Sequence, residues 1–363
     1  GAAGTQTAGL FFGGGQTSNT NATFAYDGST WSSKPNLATA RQSLAAGGVS
    51  STSTAAIGAG GYASGTVSST EEFTASTNVI TAAAWASGGA LGTARANLSG
   101  TGTESAGLAF GGAPNKNETE EYNGSTWSEQ NNLNTGRGSA TGFGTQTAAV
   151  MAGGHDYQTT TENYDGGSWT NSGPLSTGRR YLAGAGTQTA GLVFGGYSPQ
   201  LPPTYITGAS EHYNGSSWTS GGTMSPTSFV HAGVGTQTAA LKMGGAIGSG
   251  GSPQPTAGTD VQEYDGTNWT AGGSMISANK SNQGSGTQTA ALTFGGNTTG
   301  TLNMGYDGTS FSTRPSLATG RTYFAGFGTN TAAIACGNNP AATTTEEFIG
   351  ETTTANVKDF ETS

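Results

Sequence analysis

Small or polar residues alternate with larger apolar residues in short runs along the whole chain. This period of two is typical of β-strands, and no stretch shows the 3.6-residue spacing of an amphipathic helix. Glycine-containing turns interrupt the runs at regular intervals. The pattern therefore predicts an all-β protein built from short strands.

A short motif, GTQTA, marks an internal repeat. It or a looser form begins near residues 4, 51, 102, 144, 186, 235, 286 and 328. Units of this length have room for four short strands, the size of one β-propeller blade. We expect residues 1–363 to form one propeller domain with about eight four-stranded blades in a closed ring, with seven blades as the alternative. Only a stub of the first strand is present at Gly1, so we expect more chain before it.

The fourth repeat shows the expected unit. Strands are predicted at 137–143, 147–152 and 159–164, followed by the turn Asp165-Gly166 and a fourth strand from near Trp169. Asp-Gly predicts a two-residue type I′ hairpin, because both residues accept positive φ. First strands rich in Ala and Gly, such as 181–184, suit a crowded axis. The large aromatic of the fourth strand would fill the wider gap between blades; it is Trp31, Trp85, Trp127, Trp169, Trp218, Trp269 or Phe311.

A double glycine after the second strand, a Glu-x-aromatic triplet, a Trp and an Arg opening the next unit together resemble the kelch repeat of β-propellers. The Arg recurs as Arg41, Arg95, Arg137, Arg179 and Arg321, with Ser228 and Asn279 in two units; the Glu recurs as Glu71, Glu120, Glu162, Glu211 and Glu346, with Phe24, Gln262 and Asn303 in three. A bidentate guanidinium suits a carboxylate or backbone carbonyls. We expect each Arg to bind the Glu or carbonyls at a blade junction, with solvent exposure as the alternative.

Composition excludes several classes of partner. The chain has 12 Lys and Arg against 21 Asp and Glu, a net charge of −9, so no basic stripe could neutralise phosphates of nucleic acid. No apolar run approaches the roughly 20 residues of a membrane helix, so we expect no membrane insertion. The single cysteine excludes an intrachain disulfide.

Candidate catalytic chemistry is weak. His155, His212 and His231 occupy three different places in the repeat, so we expect no metal site from them. Galactose oxidase, a kelch-type enzyme, needs a Cys cross-linked to Tyr, but Cys336 lies in a column of apolar residues such as Phe294 and should be buried. A sialidase-like propeller would use a cluster of arginines to bind a carboxylate, but the arginines of this chain recur with the repeat. We expect no catalytic residue, no cofactor and no metal, and hence no enzyme.

The signature GTQTAGLxFGG is similar to Thr/Gly/Ala-rich kelch-like proteins of bacteriophages, especially marine ones, which are usually taken for tail-fibre or virion-surface proteins. The resemblance implies a structural, adhesive propeller on the virion surface, with a host surface glycan or protein or another virion protein as partner. An oligomer is compatible with this role. The alternatives are an intracellular kelch-type adaptor and, less favoured, a galactose-oxidase-like or glycosidase enzyme.

Two long loops mark a candidate binding face. They cover residues 197–209 in repeat five and 246–260 in repeat six, and both are rich in Pro, Gly and polar residues. Long loops on a rigid scaffold often carry recognition, although tolerated insertions would look the same. The candidate binding residues are Tyr197, Gln200 and Tyr205, with His155, Asp156 and Tyr157 of repeat four. Repeats two and eight also predict longer outer hairpins, at residues 73–85 and after Phe348.

Overall fold

A computed structural model describes residues 1–15, 17–48, 55–74, 78–200, 205–247, 256–355 and 361–362. The predicted all-β propeller class is confirmed. One 3-10 turn, His155–Tyr157, is the only helical element in these residues, and none of their helices could span a membrane. The chain divides into two compact units: unit 1 is Gly1–Thr81 with Thr352–Ser363, and unit 2 is Ala82–Glu351.

Unit 1 contains two four-stranded antiparallel sheets. Its strands are β1 Ala2–Thr5, β2 Ala8–Gly14, β3 Thr20–Tyr26, β4 Trp31–Lys34, β5 Ala45–Gly48, β6 Ala55–Ala59, β7 Thr70–Thr74, β8 Asn78–Thr81, β36 Thr352–Ala355 and β37 Glu361–Thr362. Strands β1 to β4 form sheet 1, and β5, β6, β7 and β37 form sheet 2. Strand β8 pairs with β36 in a separate ribbon. The first repeat therefore does form an inner strand, of four residues.

Unit 2 contains six four-stranded antiparallel sheets, sheets 3 to 8, one for each of repeats three to eight. Its strands are β9 Ala84–Ser87, β10 Ser99–Thr103, β11 Ala106–Gly112, β12 Lys116–Tyr122, β13 Trp127–Gln130, β14 Thr141–Thr145, β15 Ala148–Ala152, β16 Thr161–Tyr164, β17 Trp169–Ser172, β18 Ala183–Thr187, β19 Ala190–Phe194, β20 Ala209–Tyr213, β21 Trp218–Thr223, β22 Ser228–Phe229, β23 Ala232–Thr236, β24 Ala239–Met243, β25 Ala246–Ile247, β26 Thr256–Ala257, β27 Val261–Tyr264, β28 Trp269–Ala271, β29 Gln283–Thr287, β30 Ala290–Phe294, β31 Asn303–Tyr306, β32 Phe311–Thr313, β33 Ala325–Gly328, β34 Ala332–Cys336 and β35 Thr345–Ile349.

The six inner strands of unit 2 form a closed ring. Strands β10, β14, β18, β23, β29 and β33 pack in that order, and β33 packs on β10 again. Glycines let these strands approach the preceding sheet: a Cβ on Gly233 would lie 2.6 Å from Cζ of Phe194. The prediction of eight blades in one closed ring, with seven as the alternative, therefore agrees with the number of four-stranded sheets but not with the ring, because six of these sheets close a ring within unit 2.

Sheet 8 takes its fourth strand from an earlier part of the chain. Strand β9 pairs with β35 so that Trp85 lies opposite Phe348, the same cross-strand pair as Trp169 and Tyr164 in sheet 4. Sheet 8 therefore joins strands from the start and the end of unit 2. The predicted longer outer hairpins of repeats two and eight are wrong, because β9 completes sheet 8 and β37 completes sheet 2.

Two predicted details of the repeat also need correction. The first strand of sheet 4 begins at Thr141 instead of residue 137, because Arg137 is engaged in a side-chain pair and Ser139 has φ 58°. The strand predicted at 181–184 likewise begins at Ala183. The Asp165 turn has four residues instead of two: Tyr164 pairs with Trp169, and Oδ1 of Asp165 accepts the N–H groups of Gly167 and Ser168.

The recurring arginines are buried and bind both predicted kinds of partner. Arg137 pairs with Glu162 and donates to the carbonyl oxygens of Thr135, Met151 and Gly153. The alternative of solvent exposure is wrong, because every arginine of this column is at most 1% exposed. The same ion pair occurs in five repeats: Arg41–Glu71, Arg95–Glu120, Arg137–Glu162, Arg179–Glu211 and Arg321–Glu346.

Two kinds of side chain join neighbouring sheets in unit 2: the Trp of sheets 3 to 6 and the Gln of repeats four to seven. The Trp of one sheet donates to a hydroxyl of the preceding sheet, as Trp218 Nε1 does to Thr161 Oγ1 at 3.0 Å. The Gln of GTQTA reaches back as well: Gln188 donates to the carbonyl oxygens of Ala149 and Tyr164 at 3.1 and 2.6 Å. The motif predicted only a turn, but its glutamine also binds one blade to the next.

Candidate functional site

The repeat-four loop places three of the candidate residues at one edge of the ring. The double glycine after β15 is followed by the 3-10 turn His155–Tyr157, and His155 N–H donates to Gly138 O at 2.8 Å. Asp156 and Tyr157 both have left-handed backbones, with φ 58° and 57°. Asp156 Oδ1 lies 3.5 Å from His155 Nε2, and the side chain of Asp156 is 74% exposed.

The repeat-five loop is held against the preceding connection by backbone hydrogen bonds. Tyr197 and Arg180 exchange two of them, at 2.9 and 3.1 Å, and Ser198 N–H donates to Tyr205 O at 2.7 Å. Residues 201–204 of this predicted loop lie outside the described residues. The two tyrosines are thereby fixed in place on either side of them.

Aromatic rings from three repeats meet around Tyr197. Its ring centroid lies 6.0 Å from that of Tyr157, 6.2 Å from that of Tyr205 and 5.8 Å from that of Phe229. Such centroid distances are those of interacting aromatic pairs. The sequence named Tyr157, Tyr197 and Tyr205 separately, and the structure brings them together.

One cation lies at the centre of these rings. The guanidinium carbon of Arg180 lies 5.0 Å from the ring centroids of Tyr157 and Tyr181, and 5.6 Å from that of Tyr197. These are cation–π distances. Among the described residues, no carboxylate is paired with Arg180, and its Nε has no hydrogen-bond partner. We call Tyr157, Arg180, Tyr181, Tyr197, Tyr205 and Phe229 the aromatic cluster.

Sequence reasoning missed Arg180, Tyr181 and Phe229. The arginine column was assigned a structural role, which holds for Arg179 but not for the residue after it. The signal was the doublet Arg179-Arg180, in which only the first arginine belongs to the repeat. Every member of the aromatic cluster is half-buried, so part of the surface of each residue remains accessible.

The other candidate residues contribute less. Gln200 is exposed, and its backbone N–H donates to Ser198 Oγ at 3.4 Å. In repeat six, residues 248–255 lie outside the described residues, and the flanks of this loop form a small sheet in which β25 pairs with β22 and β26. Phe229 of β22 pairs with Ala246, and its ring lies beside that of Tyr197, so the described flanks of the two loops adjoin.

Among the described residues, left-handed non-glycine backbone outside the repeat pattern occurs only in the loops that carry the aromatic cluster. Ten non-glycine residues of the described chain have positive φ, and seven of these recur two positions after the Arg column: Ser43, Asn97, Ser139, Tyr181, Val230, Ser281 and Tyr323. The other three are Asp156, Tyr157 and Tyr205, with φ between 55° and 58°. Each left-handed residue costs about 1–3 kcal/mol, and such residues gather at functional sites.

The cluster adjoins the mouth of the ring. Tyr181 N–H donates to Ser139 O at 2.8 Å, and Val230 N–H donates to Tyr181 O at 3.0 Å, so the left-handed residues link successive sheets. The recurring left-handed residues of unit 2 line a cavity of about 60 Å³; they are Asn97, Ser139, Tyr181, Val230, Ser281 and Tyr323. The ring centroids of these two tyrosines lie 6.0 Å apart. The aromatic surface therefore extends from the loops to the axis.

Nucleophilic and metal-binding side chains are dispersed in the described chain. His212 Nε2 lies 2.8 Å from Tyr264 Oη, and His231 is buried beside Ser228. Cys336 is fully buried, as predicted, and burial raises the pKa of its thiol to about 12. No group of three or more His, Cys, Asp and Glu side chains that could hold a metal ion occurs among the described residues.

The chain matches no protein-family model, and no curated protein shows significant similarity to it.

Proposed function

We propose that this chain is a non-enzymatic adhesive propeller of the kelch type, carried on a phage virion, and that the aromatic cluster binds a host surface glycan or protein. The resemblance of its repeats to those of phage proteins supports the location. The left-handed residues Asp156, Tyr157 and Tyr205 support the site. All three lie outside the repeat pattern, and all three fall in the loops that carry the cluster.

The chemistry of the cluster suits recognition. Tyrosine rings offer flat contact area at low cost in conformational entropy. Arg180 supplies a cation for a carboxylate or another anionic group, and the surrounding rings hold it in place. Weak binding at one site would suffice on a virion, because many copies act together.

Binding to host cells tests the proposal. Arg180→Ala and Tyr197→Ala should each reduce binding of the purified full chain at least tenfold, whereas Arg314→Ala, which removes an exposed arginine directly after β32, should not. The melting temperature of each variant shows whether the fold is kept. Unchanged host binding by both cluster variants would refute the site.

A second measurement separates the kinds of partner. Enzymatic removal of surface polysaccharide from the cells should abolish binding if the partner is a glycan, and protease treatment should do so if it is a protein. Binding to purified virion proteins instead of cells would contradict the proposed host contact. Release of polysaccharide fragments during incubation would contradict the non-enzymatic function.

A further inference from the structure

Unit 1 exposes two sheet faces whose equivalents are covered throughout unit 2. The back face of each sheet packs on the preceding sheet of the ring, and the front face packs on the following one. In sheet 1 the back face exposes Phe11 (45%) and Trp31 (60%), and in sheet 2 the front face exposes Ile57 (41%). The sequence predicted that the tryptophan of the fourth strand lies between blades. For Trp31 this prediction is wrong, because its side chain is exposed within unit 1.

The interface between sheets 4 and 5 shows what such faces bind. Val150 and Ala152 on the front of sheet 4 pack in one apolar cluster with Val193, Tyr213 and Trp218 on the back of sheet 5. Among the hydrogen bonds that cross this interface, Trp218 Nε1 donates to Thr161 Oγ1 and Tyr213 Oη donates to Asn163 Oδ1, each at 3.0 Å.

Unit 1 carries the counterparts of both halves. The sheets can be aligned by the double glycine and by the cross-strand pair that contains the Trp. In this alignment Ile57 and Ala59 on the front of sheet 2 correspond to Val150 and Ala152 of sheet 4. Thr70 and Glu72 correspond in the same way to Thr161 and Asn163. The back of sheet 1 has Phe11, Tyr26 and Trp31 in the places of Val193, Tyr213 and Trp218. The Tyr26 and Trp31 rings already lie 5.0 Å apart, close to the 4.6 Å of Tyr213 and Trp218.

The polar members of the two faces are complementary. Elsewhere in the ring a tyrosine at this place donates to a glutamate of the preceding sheet, as Tyr306 Oη does to Glu263 Oε1 at 2.6 Å. Tyr26 and Glu72 are such a donor and acceptor, and neither side chain is hydrogen-bonded to a described residue. The interface inside unit 1 uses apolar residues at the same two places, Phe73 of sheet 2 and Ala25 of sheet 1.

We propose that the front face of sheet 2 in one copy of this chain binds the back face of sheet 1 in a second copy. In this contact the two sheets pack front to back, as sheets 1 and 2 do within one copy. Each copy carries both of the faces that the contact requires. Two different faces meet, so the association is heterologous and must close into a ring or extend. The repeats of unit 2 close at six sheets, and two sheets per copy then give a trimer with threefold symmetry.

Light scattering of the full chain tests the stoichiometry. The expected mass is three times the 35.9 kDa of one chain. Trp31→Glu and Ile57→Glu each place a charge on one face and should both give the one-chain mass. Ile276→Glu, at an isoleucine of unit 2 that is 55% exposed, should remain trimeric. A full chain that stays monomeric at every concentration, or forms a dimer, would refute the proposal.

Mixing the two variants tests the pairing of unlike faces. Each variant keeps one intact face, so a mixture of Trp31→Glu and Ile57→Glu should form a one-to-one dimer that cannot close or grow. Tyr26→Phe removes only a hydroxyl and should weaken the trimer about fivefold to tenfold. If Trp31→Glu alone dissociates the assembly and Ile57→Glu does not, like faces pair and the proposed contact is wrong.

Discussion

Five repeats open with a buried arginine paired to a glutamate, whereas repeats six and seven open with neutral residues. In sheet 6 the pair becomes Ser228 and Gln262, and in sheet 7 it becomes Asn279 and Asn303. Both members change together in each case. An unpaired buried charge costs several kcal/mol, which explains why neither charge is present without the other.

The neutral repeats keep the contacts of the charged ones to the backbone. Asn279 Nδ2 donates to Gly295 O at 2.6 Å, as Arg137 Nε donates to Gly153 O at 3.0 Å. Gln262 Oε1 accepts the N–H of Ser225 at 3.1 Å, in the role that Glu162 has toward Asn134. In both kinds of repeat these side chains therefore form the hydrogen bonds that backbone groups at the junction need. Five repeats do this with an ion pair, and two do it with neutral residues.

The largest effect should come from breaking one ion pair. Arg137→Ala leaves Glu162 buried without its cation and removes the donors to Thr135 O, Met151 O and Gly153 O. We expect a loss of about 3–5 kcal/mol in the free energy of unfolding, measured by urea denaturation. Asn279→Ala removes one neutral hydrogen bond and should cost about 1–2 kcal/mol. Equal losses would mean that charge does not distinguish the two kinds of repeat.

Transplanting the neutral pair should have a smaller effect. The double variant Arg137→Ser with Glu162→Gln copies repeat six into repeat four and leaves no buried charge. We expect about 1–3 kcal/mol of destabilisation, less than for either single change. Urea denaturation of the parent chain, the two single variants and the double variant gives the coupling free energy between the two positions. A double variant as unstable as the sum of the single ones would contradict the interpretation.

The sequence predicted the local parts of the fold better than their assembly. The Arg and Glu columns gave the buried pairs because both residues recur at fixed positions in five repeats. The predicted ring size was wrong because the sequence of a strand does not show which distant strand it pairs with. By sequence the strand of Trp85 belongs to repeat two, but in the structure it pairs with β35 of sheet 8. In the candidate site Tyr197 and Tyr205 were predictable from loop length, but Tyr181 was missed and Arg180 was hidden beside a structural arginine.

Burial of His231 in sheet 6 should make the stability of the fold depend on pH. His231 packs there with its Nδ1 3.2 Å from Ser228 Oγ, and burial, with a further contribution from Lys242, holds the pKa of His231 well below its ordinary value of 6.5. The unfolded chain therefore binds a proton that the folded chain does not. Stability should fall as the pH drops below about 6.5, by at most about 1.4 kcal/mol per pH unit.

The variant His231→Gln isolates this contribution. Its unfolding free energy should change less between neutral pH and about pH 5 than that of the parent chain, because no imidazole is left to protonate on unfolding. Asp260, paired with Lys242, is present in both proteins, so its effect cancels in the difference. Parallel pH profiles for the two proteins would show that His231 is not held neutral in the fold.

The smallest effect should come from the outer turns, where the repeats also use a charged and a neutral version of one contact. Hydrogen bonds from the backbone of Ser168 and Gly167 lower the pKa of Asp165 below its ordinary value of 3.8. That contribution is complete above the ordinary pKa and is lost as the pH falls through the lower, folded value. Asn123 Oδ1 accepts the equivalent bonds from Ser125 and Thr126, at 3.0 and 2.9 Å, and does not titrate.

Asp165→Asn should therefore leave the melting temperature near neutral pH unchanged and make it fall less steeply between about pH 4 and pH 2. Asn123→Asp is the matched reverse change and should make the fall steeper. Melting temperatures of the three proteins across this range, followed by circular dichroism, give the comparison. If both variants keep the slope of the parent chain, the turn carboxylate contributes nothing that an amide does not, and the charged and neutral turns are equivalent.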